Sequence, residues 1–195
     1  MEVNDVGLEQ IASFQSESKL IEKRTIFISE GINSAVAKKA INHLLAMEAQ
    51  DSSLPIHMYL NSPGGEVNSG FAIYDTMRFI KSDVKVICTG LCASIATIML
   101  LGAKKEHRYG MANTRYLIHQ PLIGGQVQGQ ASDLEITARE IIKTRKKINE
   151  LLSEECGKSF GQVEEDTTRD YWMNSEEALE YGLISKIVSN IDEIS

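Results

Sequence analysis

The chain reads as an α/β fold of stacked βαβ units. Three observations say so. Short runs rich in β-branched residues alternate with segments whose apolar residues recur every three or four positions. Turn residues separate the two kinds of segment, and strands alternating with helices at this spacing indicate βαβ units. A length of 195 residues suits one domain, 1–195, with a real core.

Residues 1 to about 18 show no sustained period. The stretch 25–29 is a short apolar strand. Asn33-Ser34 then caps a helix whose apolar face is Val36, Ala37, Ala40, Ile41, Leu44, Leu45 and Met47. The next strand is 56–60, broken by Asn61-Ser62-Pro63-Gly64-Gly65. Phe71, Ile73, Tyr74, Met77 and Ile80 mark the following helix. The strand 84–88 leads into a stretch of small residues and an uncharged helix that Gly102 closes. A strand at 115–118 ends on His119-Gln120-Pro121. The segment 122–130 is polar and glycine-bearing. The longest helix opens at Ser132 or Asp133 and runs to Gly157. Arg145 interrupts its apolar stripe, which suits a partly exposed or partner-facing helix. Residues 166–170 read as a loop, Asn174-x-x-Glu177 as a capping box, and 183–188 as the last strand.

Bulk composition narrows the function. A net charge of −7 with no overriding Lys/Arg cluster argues against nucleic-acid binding. The basic run 143–147 is interleaved with apolar helix positions and is a solvated face. The polar start, with no apolar region behind it, predicts no secretory signal, and the longest uncharged run is too short and mixed to span a membrane. Three cysteines, an odd number, lie in or beside apolar segments and are expected to be buried, reduced thiols of a cytoplasmic protein. Cys88 and Cys92 lack a second pair at ligand spacing, so no metal is expected.

The chemistry concentrates at strand ends, where α/β proteins assemble sites. Ser94 stands at the entrance of the uncharged helix, where a serine is either an N-cap or a nucleophile. The amide of Ile95, free of any helical acceptor, could face an anion forming beside it. Gly64-Gly65 is either a tight turn or a second source of exposed amides. His119 is placed to serve as general base if it is not a structural histidine. Asp166 and Asp170 are both candidates for the acid that orients it.

Taken together, Asn61-Ser62-Pro63-Gly64-Gly65, Cys92-Ala93-Ser94 behind Gly90, Ile118-His119-Gln120-Pro121, Gly129-Gln130-Ala131-Ser132-Asp133 and Arg169-Asp170 resemble the ClpP family of self-compartmentalising serine proteases. The likeness runs in order from about Ile26 to Val188. It implies a ClpP/crotonase-type fold with a protruding strand-helix handle, here 122–157. It assigns Ser94 as nucleophile, His119 as base, Asp170 as acid, and the amides of Gly65 and Ile95 as the oxyanion hole. Heptameric rings stacked as a tetradecamer are implied, with unfolded protein substrates fed by a separate Clp/Hsp100-type AAA+ ATPase. No cofactor is implied for this chain, and it has no Gly-x-x-x-x-Gly-Lys-Ser/Thr phosphate loop of its own.

Departures from the family pattern matter too. Residues 1–20, where the family has its axial loop, lack the usual Pro-containing start. His57 stands where an aromatic is usual in the ATPase-docking pocket, while Tyr59 and Phe79 match. Thr168 replaces an acid that normally pairs with the arginine, here Arg169, across the ring interface. These changes point to a divergent paralogue that takes a second ClpP isoform as partner. Other readings are an inactive ring subunit, a crotonase-like acyl-CoA enzyme, and a Ser-Lys signal-peptide peptidase. The intact Ser, His, Asp order speaks against the first two. The third should carry a membrane segment and need no histidine.

Overall fold

The sheet is organised around one ten-residue strand, β3 (Val84–Ala93), in a computed structural model that describes residues 15–122 and 129–194. Its first five residues are buried on both faces, as the central strand of a parallel sheet must be. Before it come helix α1 (15–22), β1 (Thr25–Ile28), α2 (Ser34–Gln50), β2 (Ile56–Ser62) and α3 (Val67–Phe79). After it come α4 (Ile95–Leu101), β4 (Arg108–Met111), β5 (Arg115–Ile118), α5 (Ala131–Cys156), α6 (Phe160–Asp166), β6 (Tyr171–Met173), α7 (Ser175–Tyr181) and β7 (Lys186–Val188). The sheet order is β1-β2-β3-β4-β7, all parallel. The mixed α/β architecture is the one expected.

Strand β3 carries two partners on one edge. Val86 to Cys88 pair with β4, and Leu91 to Ala93 pair with β5. Gly90 sits between the halves at φ 64°, a conformation that a side chain would strain. On the other edge the β2 register shifts between Leu60 and Ser62. Asn61 fills that irregularity: its Oδ1 accepts from the Leu91 amide at 3.1 Å, and its Nδ2 donates to Ser29 Oγ at 2.8 Å. The kink therefore spans three strands and turns the end of β3 away from β4.

Helices cover the sheet by burying one face each. Helix α2 starts on Asn33, whose side chain accepts from the Ala35 and Val36 amides, and buries Val36, Ala37, Ala40, Leu44 and Met47. Burial of a Leu or Met side chain of this kind is worth about 1.5–3 kcal/mol. Helix α4 is buried at all seven positions, which explains its lack of polar pattern. Helix α5 is the opposite case. Only Ile148, Asn149, Leu152 and Cys156 near its C-terminus are buried, while Leu134, Ile136 and Ile142 are exposed.

Several elements differ from the sequence reading. Strand β3 continues to Ala93 rather than ending near Cys88. Strand β4 escaped notice because it opens on a charged residue, Arg108, whose side chain is 1% exposed. That guanidinium donates to the carbonyls of Ala103 and Leu101 and to the Glu155 carboxylate. Helix α6, to which the sequence reading gave no element, begins at a Ser159 cap and buries only Val163, too little apolar surface to show a period. Strand β6 has three residues and runs antiparallel to β5, the one antiparallel pair among the described residues. Helix α5 opens one residue early, and the final strand is the shorter Lys186–Val188. The axial-loop segment up to residue 14 and handle residues 123–128 lie outside the described residues.

Candidate active site

Sequence features at the carboxyl ends of β2, β3 and β5 converge on Ser94. Its backbone has φ 58° and ψ −128°, and its side chain makes no capping bond. A non-glycine residue in such a conformation costs on the order of 1–3 kcal/mol. The strain is held by neighbours: the Ser94 amide donates to Leu117 O at 2.9 Å, and Ser94 O accepts from the Thr97 amide and hydroxyl at 3.0 and 2.7 Å. The plain N-cap role is thereby excluded. The strained turn instead presents Oγ to His119 Nε2 at 2.8 Å.

Gly64 and Gly65 follow β2 at φ 89° and 149°. A Cβ on Gly64 would stand 2.6 Å from Ala93 O and 3.2 Å from the Ile95 nitrogen; one on Gly65 would stand 2.1 Å from Ile32 O. Both glycines are therefore demanded by close approach as well as by backbone conformation. The bridge to Ile32 uses the carbonyl of Gly64 and the amide of Glu66, at 2.8 Å each. Among the described residues no acceptor faces the amide of Gly65 or that of Ile95. Two free donors thus stand in the turns after β2 and β3, which pack against each other where Gly64 meets Ser94.

His119 Nδ1 lies 3.1 Å from Asp170 Oδ1, with the imidazole 14% and the carboxylate side chain 62% exposed. The two candidate acids are separated by this geometry. Asp166 accepts from Tyr181 Oη at 2.9 Å and Gln162 Nε2 at 2.8 Å. The remaining histidines stand apart: His43 lies on α2, His57 on β2 and His107 in a short 3₁₀ turn. Burial lowers the pKa of His43 and of His57, where Lys85 adds to the effect.

The free thiols are buried. Burial pushes Cys156 up to about 11 and Cys92 well above the usual thiol range. They are thus poor nucleophiles. Among the described residues no group of three or more His, Cys, Asp or Glu is placed to hold a metal ion, and no helix is long and apolar enough to cross a membrane.

One space adjoins Ser94 and a second lies on the far side of His119, against Asp170. The first is a small apolar slot of about 20 Å³ lined by Val67, Ile98, Ile118, Pro121, Ile148 and Leu152. That is room for little more than one water, which needs about 10–15 Å³. The other is an open cavity of about 380 Å³ beside His119, Gln120, Leu122, Arg169 and Asp170. Sequence reasoning passed over Gln120 and Thr167, which join the segments of His119 and Asp170; the Gln in His119-Gln120-Pro121 was the available signal.

A hydroxyl, an imidazole, a carboxylate and two free amides at one strand junction can activate the hydroxyl and receive an oxyanion. Comparison with known proteins gives the family. The family model described as Clp protease matches residues 9–191. The ATP-dependent Clp protease proteolytic subunit 2 of Treponema denticola is 48% identical over 196 residues, covering 98% of this chain and 97% of that protein. The protein of the same name in Treponema pallidum is 48% identical over 170 residues, covering 87% and 84%. A match this long, with the fold and turn described above, means that the chain belongs to the Clp protease family.

Proposed function

We propose that the chain is the proteolytic subunit of a cytoplasmic, ATP-dependent Clp protease, a serine endopeptidase acting through a Ser94–His119–Asp170 triad. The observation that carries this reading is the continuous contact from Ser94 Oγ through the His119 ring to Asp170, at 2.8 and 3.1 Å. Nδ1 bears the proton and donates to Asp170, which leaves Nε2 free to accept the Ser94 proton. The alkoxide forms a bond to the scissile carbonyl carbon, and the carbonyl oxygen becomes an oxyanion bound by the amides of Gly65 and Ile95. Each such donor is worth about 3–4 kcal/mol of barrier. Collapse breaks the C–N bond, the Nε2 proton goes to the leaving amine, and the acyl-enzyme on Ser94 is hydrolysed by water with His119 again as base. No cofactor takes part.

The apolar slot beside Ser94 supports a hydrophobic P1 side chain, with some opening of the slot on binding. Exposed apolar residues support assembly. Leu134, Ile136 and Ile142 on α5 suit a contact between stacked heptameric rings, as in a tetradecamer. Phe79 is almost wholly exposed, and Phe27 packs beside Tyr59 with ring centroids 6.4 Å apart. These aromatics suit the docking of a Clp/Hsp100-type ATPase that delivers unfolded substrate. A second isoform as ring partner belongs to the same reading and rests on the sequence departures at His57 and Thr168.

The test is intact mass after treatment with a fluorophosphonate, wild type beside Ser94→Ala. One adduct on the wild type and none on the variant is expected. Absence of an adduct on both would sink the reading of the isolated chain as active, and mixing with a second isoform would then decide whether it is a dormant partner.

A further inference from the structure

Asp170 presents a problem of placement. Its carboxylate side chain is 62% exposed, and among the described residues its one hydrogen-bond partner is His119. Nothing grips the carboxylate itself, so its direction comes from the backbone that carries it. That backbone is tied to the histidine's strand at successive carbonyls. The Gln120 amide donates to Thr167 O at 2.7 Å, and the Gln120 side-chain Nε2 donates to Thr168 O at 2.9 Å. Beyond Asp170, Tyr171 pairs with Ile118 in the antiparallel register. The residue after the base thus binds the two residues that lead to the acid.

The anchor below is rigid. Thr167 and Asn149 are buried. Thr167 Oγ1 lies 2.8 Å from Val163 O and 3.1 Å from Asn149 Oδ1, and Asn149 Nδ2 has no partner among the described residues. A hydroxyl has one proton, and two acceptors compete for it. Rotating the Asn149 amide by half a turn resolves both problems: Nδ2 then donates to Thr167 Oγ1, which donates to Val163 O. Thr167 is then pinned between α5 and α6 and offers its carbonyl to Gln120 from a fixed point.

We propose that Gln120 is the positioning residue of the acid–base pair, holding the Thr167–Asp170 backbone so that Asp170 meets His119 Nδ1. The proposal rests on the triad reading above. The main-chain bond to Thr167 would form with any residue but proline. The bond to Thr168 needs a side-chain donor of this length. Gln120 touches no reacting atom, and its hydrogen bonds lead to the segment that carries Asp170.

That last property gives the test. Gln120→Met keeps length and volume and removes the donor; Gln120→Asn keeps the donor on an arm too short to reach. Both are half-exposed changes that leave the core intact. They are compared with Asp170→Asn and with the double variant Gln120→Met/Asp170→Asn, on the assembled full chain, by the rate of fluorophosphonate capture of Ser94. Gln120→Met and Gln120→Asn are each expected to lower the maximal capture rate about tenfold, with half-saturating probe changed less than about twofold, since misplacement by a fraction of an ångström suffices for such a loss. In the Asp170→Asn background, Gln120→Met should cause no further loss. An equal loss in both backgrounds, a change in half-saturation alone, or wild-type rates in the Gln120 variants beside a slow Asp170→Asn overturns the positioning role and leaves the triad standing. A wild-type rate for Asp170→Asn overturns the triad itself.

Discussion

A methyl group on Gly64 would lie 2.7 Å from the Cβ of Ser94. The turn after β2 and the turn after β3 are therefore packed against each other with no spare volume. Gly64→Ala has nowhere to go, because its φ of 89° is strained for alanine and Ala93 O blocks the same space. The variant is expected to lose more than about 100-fold in fluorophosphonate capture and about 2–3 kcal/mol of stability. Retention of wild-type capture would show that this contact does not set the site.

Ser94 itself stores strain, which predicts a trade between stability and activity. Ser94→Gly relaxes φ 58° and should stabilise the fold by about 1 kcal/mol while abolishing the adduct. Ser94→Ala keeps the strained backbone and should give no such gain. Thermal melting of the two variants side by side checks this; equal melting temperatures would remove strain from the account.

The buried Arg108 guanidinium is paired with Glu155, which also faces Arg78 at 3.6 Å. Removing one partner leaves a charge in the core. Glu155→Ala should therefore cost about 3–5 kcal/mol, and Arg108→Met combined with Glu155→Leu should cost less. Denaturant unfolding measures both, and a double variant less stable than Glu155→Ala would contradict the assignment.

At the C-terminus, Glu193 accepts from the Ser189 amide and hydroxyl and from the Asn190 amide, and these bonds with Lys186 pull its carboxyl down to about 2. The folded value lies below the ordinary 4.5, so the stabilisation is full above about pH 4.5 and fades as pH falls toward 2. Protection factors of the Ser189 and Asn190 amides, taken against the pH-dependent intrinsic exchange rate, should fall across that window, whereas in Glu193→Gln they should change little there.

Cys156 offers a check on core integrity. With its thiol pushed up to about 11 by burial, it should resist iodoacetamide at pH 8 in the folded protein and react rapidly in denaturant. Rapid native labelling at Cys156 would mean that the C-terminal end of α5 opens readily.

The amino-acid sequence by itself determined the α/β class, the order of the main strands and helices, and the identity of the candidate residues. Local patterns carry that information: apolar period, the Asn33 and Asn174 caps, and turn glycines report on neighbours a few positions away. Helix α6 and strand β6 were not legible, because each buries too few residues to leave a period. Strand β4 was hidden by a charged core residue whose partner, Glu155, is 47 positions away. Tertiary structure alone decided which chemistry meets. Local pattern left Asp166 and Asp170 open and family resemblance favoured Asp170; the packing turns Asp166 to Tyr181 and Asp170 to His119. It also released Ser94 Oγ from a capping role to the imidazole. Those choices depend on β3 bending at Gly90 to reach β5, and on β6 returning antiparallel beside it. Such long-range pairings are set by the packing of the whole sheet, and no short stretch of sequence contains them.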